Sequence, residues 1–130
     1  MDHPDFHRVL VVDPDPAIRA LIVALLRREG YLADASPNSQ DALELGRSGR
    51  HLAVILEPRM PGGEKLLDDL RASSRDGKPN LIVVTSDGRN AYGDGRGVST
   101  VLRKPFSIEE LAAAVAMCSD GASRTAITDF

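Results

Sequence analysis

Four polar residues of this chain stand at the ends of apolar runs. Asp13 follows Val9-Leu10-Val11-Val12, Glu57 follows Leu52-Ala53-Val54-Ile55-Leu56, Thr85 closes Leu81-Ile82-Val83-Val84, and Lys104 follows the stretch from Val98 to Arg103. Two carboxylates, a hydroxyl and an ammonium act by charge and hydrogen bonding. They do not form a nucleophile–base pair: there is no G-x-S-x-G, and the single cysteine, Cys118, lies in a helix-favouring run away from the strand ends. A hydrolase or phosphatase on this scaffold is therefore disfavoured. Gly62-Gly63 and the later glycines do not resemble a phosphate-binding loop. His3, His7 and His51 lack the mutual spacing of a metal site and are expected to be exposed. What remains open is whether Glu57 performs chemistry or only fixes a charge.

The elements that position these residues can be read in order. Arg8 to Val12 is a β-branched run ending at Asp13-Pro14-Asp15-Pro16, where each proline biases the preceding aspartate toward extended geometry. Asp15 can cap a helix beginning at Pro16, because proline's missing N–H is no loss there, and Gly30 stops a helix over 16–28 carrying Ile18, Leu21, Ile22, Leu25 and Leu26. A weak strand over 31–35 precedes a helix opened by Ser36-Pro37-Asn38, which Gly46 and Gly49 weaken. The run ending at Glu57 is the third strand. A short helix after Gly62-Gly63 places Leu66, Leu67 and Leu70 on one face, and 73–80 reads as a polar loop. Strands over 81–85 and 98–103 bracket the glycine-rich stretch 86–97, where any helix should be short or poorly formed. Ser107 and Glu110 form a capping box for a last helix reaching about Met117, leaving 119–130 as a loose tail. Five short strands alternating with helices imply a doubly wound parallel α/β sheet with helices on both faces, whose sites lie beyond the carboxyl ends of the strands. The four polar residues should converge there.

At 130 residues and 42% hydrophobic, the chain has the size and apolar content of one domain. The expected division is a domain over 1–118 and a tail over 119–130, with no output domain. A net charge of -3 disfavours direct binding to nucleic acid or an anionic membrane. Met1 to Asp5 shows neither the basic start nor the apolar core expected of a signal peptide, and no 18-residue apolar run occurs in the sequence. With one cysteine, read as a small buried hydrophobe, the expected setting is reducing and cytoplasmic.

Across 7–118 the chain resembles the receiver domain of bacterial two-component response regulators. Val9-Leu10-Val11-Val12-Asp13 resembles the first strand and acidic turn, and Val54 to Pro61 resembles the phosphoacceptor strand with its Met-Pro turn. Val83-Val84-Thr85-Ser86 resembles the switch hydroxyl, and Lys104-Pro105-Phe106 the lysine-proline signature. The resemblance implies a flavodoxin-like sheet of strand order 2-1-3-4-5, a cis Lys104–Pro105 bond that aims the lysine, and Mg²⁺ held by acidic residues as family cofactor. It also implies phosphoryl transfer from a histidine kinase or a small donor, and signalling-protein partners, with a homodimer possible.

Three positions depart from the family pattern. The phosphoacceptor position holds Glu57, the second metal-binding acid position holds Pro14, and the switch aromatic position holds Val101. Glutamate's carboxylate reaches about 1.5 Å further than aspartate's, and a displacement of about 1 Å can cost roughly a hundredfold in rate. Glu57 could instead carry about -1 permanently where a phosphate carries about -1.5 to -2. Pro14 offers no side-chain oxygen, leaving Asp13 and Glu57 as the side-chain metal ligands, so Mg²⁺ binding should be weak or lost. The expectation is a phosphorylation-independent pseudo-receiver that acts through protein–protein interaction and is no enzyme. The alternative is an active phosphoacceptor using an atypical residue.

Overall fold

The computed structural model describes residues 5–48, 50–72, 80–86, 98 and 100–128. Five parallel strands, β1 (Asp5–Val12), β2 (Leu32–Ser36), β3 (His51–Leu56), β4 (Asn80–Thr85) and β5 (Thr100–Arg103), form one sheet in the order β2-β1-β3-β4-β5. The helices among the described residues are α1 (Pro16–Arg28), α2 (Ser39–Arg47), α3 (Gly63–Ala72) and α4 (Ile108–Thr128). All six residues of β3 are buried, as expected of a central parallel strand covered on both faces.

Alternation along the strands divides the core in two. Val9, Val11, Ala53, Ile55, Ile82 and Val84 meet α1 and α4 through Ile22, Leu26, Leu111 and Val115. Leu10, Val12, Val54, Leu56, Leu81 and Val83 meet α2 and α3 through Ala42, Leu66, Leu67 and Leu70. The sheet is thus clamped between two helix pairs, each closed by aliphatic side chains worth about 1.5–3 kcal/mol apiece when fully buried. With the sheet held this way, its carboxyl edge is a fixed platform.

Local signals account for the helix starts. Asp15 Oδ1 accepts the N–H groups of Ala17 at 2.9 Å and Ile18 at 3.5 Å, and Pro16 opens α1. Asn38 Oδ1 caps α2 through the Asp41 N–H at 2.9 Å. The Ser107–Glu110 capping box forms in both directions: Glu110 N–H donates to Ser107 Oγ at 3.0 Å, and Ser107 N–H to Glu110 Oε1 at 3.1 Å. Cys118 is buried, with its thiol pushed up to about 11 by desolvation, which suits the role of small hydrophobe.

Several expectations are corrected. The last helix does not end near Met117; α4 runs to Thr128, so 119–128 is helix and not a loose tail. No proline interrupts that stretch, and Gly121 disfavours helix by only about 1 kcal/mol among alanines that favour it. β1 begins at Asp5, three residues earlier than Arg8, where Asp5 pairs with His51 beyond a register irregularity. β5 begins at Thr100, the residue that meets Ile82 in β4. His51 is not exposed: it opens β3 at 2% exposure, with Nε2 at 2.7 Å from Asp34 Oδ2. The polar loop over 73–79 and the doubtful helix within 87–97 lie outside the described residues, as does His3.

Candidate functional site

The carboxyl edge of the sheet brings Asp13, Glu57, Thr85 and Lys104 together. Asp13 leaves β1 and is 3% exposed; its Oδ1 accepts the Asp15 N–H at 2.9 Å, the tight turn that also sets Asp15 as helix cap. Glu57 leaves β3 at 8% exposure. Its own N–H donates to the Val12 carbonyl at 3.2 Å, extending the β1–β3 ladder by one step, and its Oε2 accepts the Arg59 N–H at 3.1 Å. The turn that follows depends on two glycines. Gly62 has φ +74°, which disfavours any side chain, and a Cβ on Gly63 would stand 2.5 Å from the Pro58 carbonyl oxygen. Met60, buried in the α2–α3 side of the core, anchors this turn from below.

Lys104 crosses the pocket from the far strand. Its N–H donates to the Thr85 carbonyl at 2.9 Å, locking the end of β5 to the end of β4, and the Lys104–Pro105 bond is cis. From there Nζ lies 3.1 Å from Asp13 Oδ2 and 3.1 Å from Glu57 Oε1. Burial alone would push this ammonium down, but the hydrogen bonds and charges of Asp13 and Glu57 outweigh it and hold Lys104 above its ordinary value. Thr85 is fully buried beside them.

One further charged group at this edge goes beyond the four expected from the sequence. Arg19, on the first turns of α1, donates from Nη1 to the Asp13 carbonyl at 2.7 Å. Its signal was its place six residues after Asp13, directly beyond a capped helix start. Of the positions that depart from the resemblance, Pro14 is exposed and offers no side-chain oxygen, and Val101 is partly buried against the α2–α3 side of the core.

The donors do not suit Mg²⁺, which takes an octahedral oxygen shell at about 2.0–2.1 Å. Asp13 and Glu57 each have one oxygen on Lys104 Nζ and the other on a backbone N–H, and Asp15 is committed to α1. Among the described residues, no group of three or more His, Cys, Asp or Glu side chains could hold a metal ion.

A doubly wound sheet with two carboxylates, a threonine and a crossing lysine on its carboxyl edge defines a receiver-type α/β domain. The family model described as "Response regulator receiver domain" matches residues 9–116, and the chain belongs to that family as a receiver domain of two-component response regulators. Among known proteins it is similar to the response regulator MprA of Mycolicibacterium vanbaalenii, 33% identical over 95% of this chain and 57% of that protein. The chain spans about half the length of the curated relatives it matches. Among solved structures, the signal receiver domain of a LuxO repressor protein from Vibrio parahaemolyticus superposes with a TM-score of 0.82 at 22% identity, covering 98% of each chain. The response regulator TrrA of Thermotoga maritima, solved in complex with Mg²⁺ and BeF, gives a TM-score of 0.74 at 31% identity over 85% of this chain and 97% of that one. No helix among the described residues is long and apolar enough to cross a membrane.

Proposed function

We propose that this receiver domain is a phosphorylation-independent module: Glu57, standing at the family's phosphoacceptor position, fixes one charge state of the pocket, and signalling proceeds through contacts with other proteins. The observation that carries this reading is the single ammonium of Lys104 shared at 3.1 Å by Asp13 and Glu57. A phosphoryl group arriving at Glu57 would have to displace that ion pair, and glutamate already projects about 1.5 Å further into the pocket than aspartate would. In-line transfer needs near-attack geometry, and a shift of about 1 Å is enough to cost roughly a hundredfold. The pocket is thus suited to holding charge, and the domain does no chemistry of its own.

The partners of such a module are signalling proteins, a histidine kinase or a downstream component, met in the cytoplasm. A second reading, an active phosphoacceptor, draws on the lysine and threonine that stand at this edge. Incubation with acetyl phosphate and Mg²⁺, followed by intact-mass measurement, separates the two. The pseudo-receiver reading expects no mass gain. A stoichiometric gain of one phosphoryl group that Glu57→Gln abolishes establishes the second reading instead.

A further inference from the structure

We infer that Lys104 is the resident cation of this pocket: its ammonium takes the place a divalent metal would need between Asp13 and Glu57, so the pocket stays closed whether or not Mg²⁺ is present. This rests on the reading above, that the pocket does not serve phosphoryl transfer, and it says what holds the pocket shut.

Coordination and charge both support it. Nζ reaches Asp13 Oδ2 and Glu57 Oε1 at 3.1 Å each, so the two carboxylates converge on one point and an ammonium stands there. Their remaining oxygens accept the N–H groups of Asp15 at 2.9 Å and Arg59 at 3.1 Å, which leaves no oxygen of either carboxylate without a donor. A metal would have to strip these contacts and find its other ligands where Pro14 has no side-chain oxygen to offer and Asp15 Oδ1 is engaged as a cap. The charge of the cluster points the same way. Asp13 and Glu57 face Lys104, a net charge of -1, and the guanidinium of Arg19 donates to the backbone carbonyl of Asp13 at 2.7 Å, adding positive charge to the same turn. Little is left for a dication to neutralise. Because the ammonium is covalently tethered at the end of β5, its local concentration does not fall when free cations are removed.

Removing the tethered charge should convert the pocket into one that wants a metal. The full chain and its Lys104→Met variant are titrated with Mg²⁺ against NaCl of equal ionic strength, following Tm and the amide NMR spectrum, with Mn²⁺ as a paramagnetic probe. The expected result is an unchanged wild-type Tm and spectrum at millimolar Mg²⁺, together with a Tm rise of about 5 °C and a saturable Mn²⁺ site in Lys104→Met. Lys104→Met combined with Glu57→Gln, which removes one carboxylate, should lose that response. Saturable wild-type shifts at the Asp13, Glu57 and Arg59 amides overturn the inference, as does a folded Lys104→Met that ignores both metals. Should Lys104→Met fail to fold, the wild-type titration decides alone. Wild-type protein that binds Mg²⁺ without gaining a phosphoryl group sinks this inference and leaves the pseudo-receiver reading standing; protein that gains one sinks the reading itself.

Discussion

Two clusters of similar composition sit in different parts of the sheet. At the carboxyl edge, Lys104 is shared by Asp13 and Glu57, both almost fully buried. On the strands themselves, Asp34 of β2 is shared by Arg8 of β1, whose Nη1 lies 3.0 Å from both carboxylate oxygens, and His51 of β3 at 2.7 Å. One is two carboxylates around a cation; the other is one carboxylate between two basic groups. The first closes a pocket, whereas the second ties the edge strand β2 across β1 to the centre of the sheet. In the first the buried partners carry the charge, and in the second the ion pair is a third exposed while only His51 is buried. An interaction's weight follows from what is left behind when it is broken, and that differs sharply between them.

The largest effect should come from Lys104→Met in the absence of divalent metal, which leaves two buried carboxylates facing one another. A loss of about 3 kcal/mol, read as a lower urea midpoint with unchanged slope, is expected. A loss under about 1 kcal/mol would mean that the pocket is solvated well enough to treat its ion pairs as surface ones. His51→Ala should come next, at about 2 kcal/mol, since it removes a buried ring and a hydrogen bond to Asp34 together. Asp34→Asn should be the smallest, a few tenths to about 1 kcal/mol, because its pair with Arg8 is partly solvated.

The clusters should also fail at opposite ends of the pH scale. Burial alone would raise Asp34, but hydrogen bonds from His51 and Arg8 outweigh it and hold the carboxyl below its ordinary value of 3.8. Its contribution is therefore present above pH 3.8 and lost as pH falls through the lower folded value. Lys104 is held above its ordinary 10.5, so its contribution is complete below that pH and lost as pH rises through the higher folded value. Stability measured against pH should thus lose part of its acid arm in Asp34→Asn and part of its alkaline arm in Lys104→Met. A variant that flattened the wrong arm would break the comparison.

The edge cluster is legible in the sequence, because a polar residue at the end of a buried strand has one place to go. Asp13, Glu57, Thr85 and Lys104 each announced a strand end, and a parallel sheet gathers strand ends on one edge. The Arg8–Asp34–His51 cluster gave no such warning. Asp34 lies within a weak strand, and its meeting with Arg8 and His51 depends on how β2 and β3 slide along β1, which periodicity does not report. The burial of His51 is hidden from the sequence for the same reason. The end of α4 is not legible in the sequence, because helix termination without proline or a strong cap is a balance of small propensities.

The alternation of strands and helices, the caps of α1 and α4, and the gathering of four polar residues at the carboxyl edge can be read from the chain alone. Those depend on neighbours in the chain and on a topology that short strands and helices allow in few ways. Tertiary packing adds the ammonium shared by Asp13 and Glu57, the approach of Arg19 to the Asp13 carbonyl, and the burial of His51 against Asp34. Each is a distance between residues on different elements, set by sheet register and helix packing, and no local pattern encodes it.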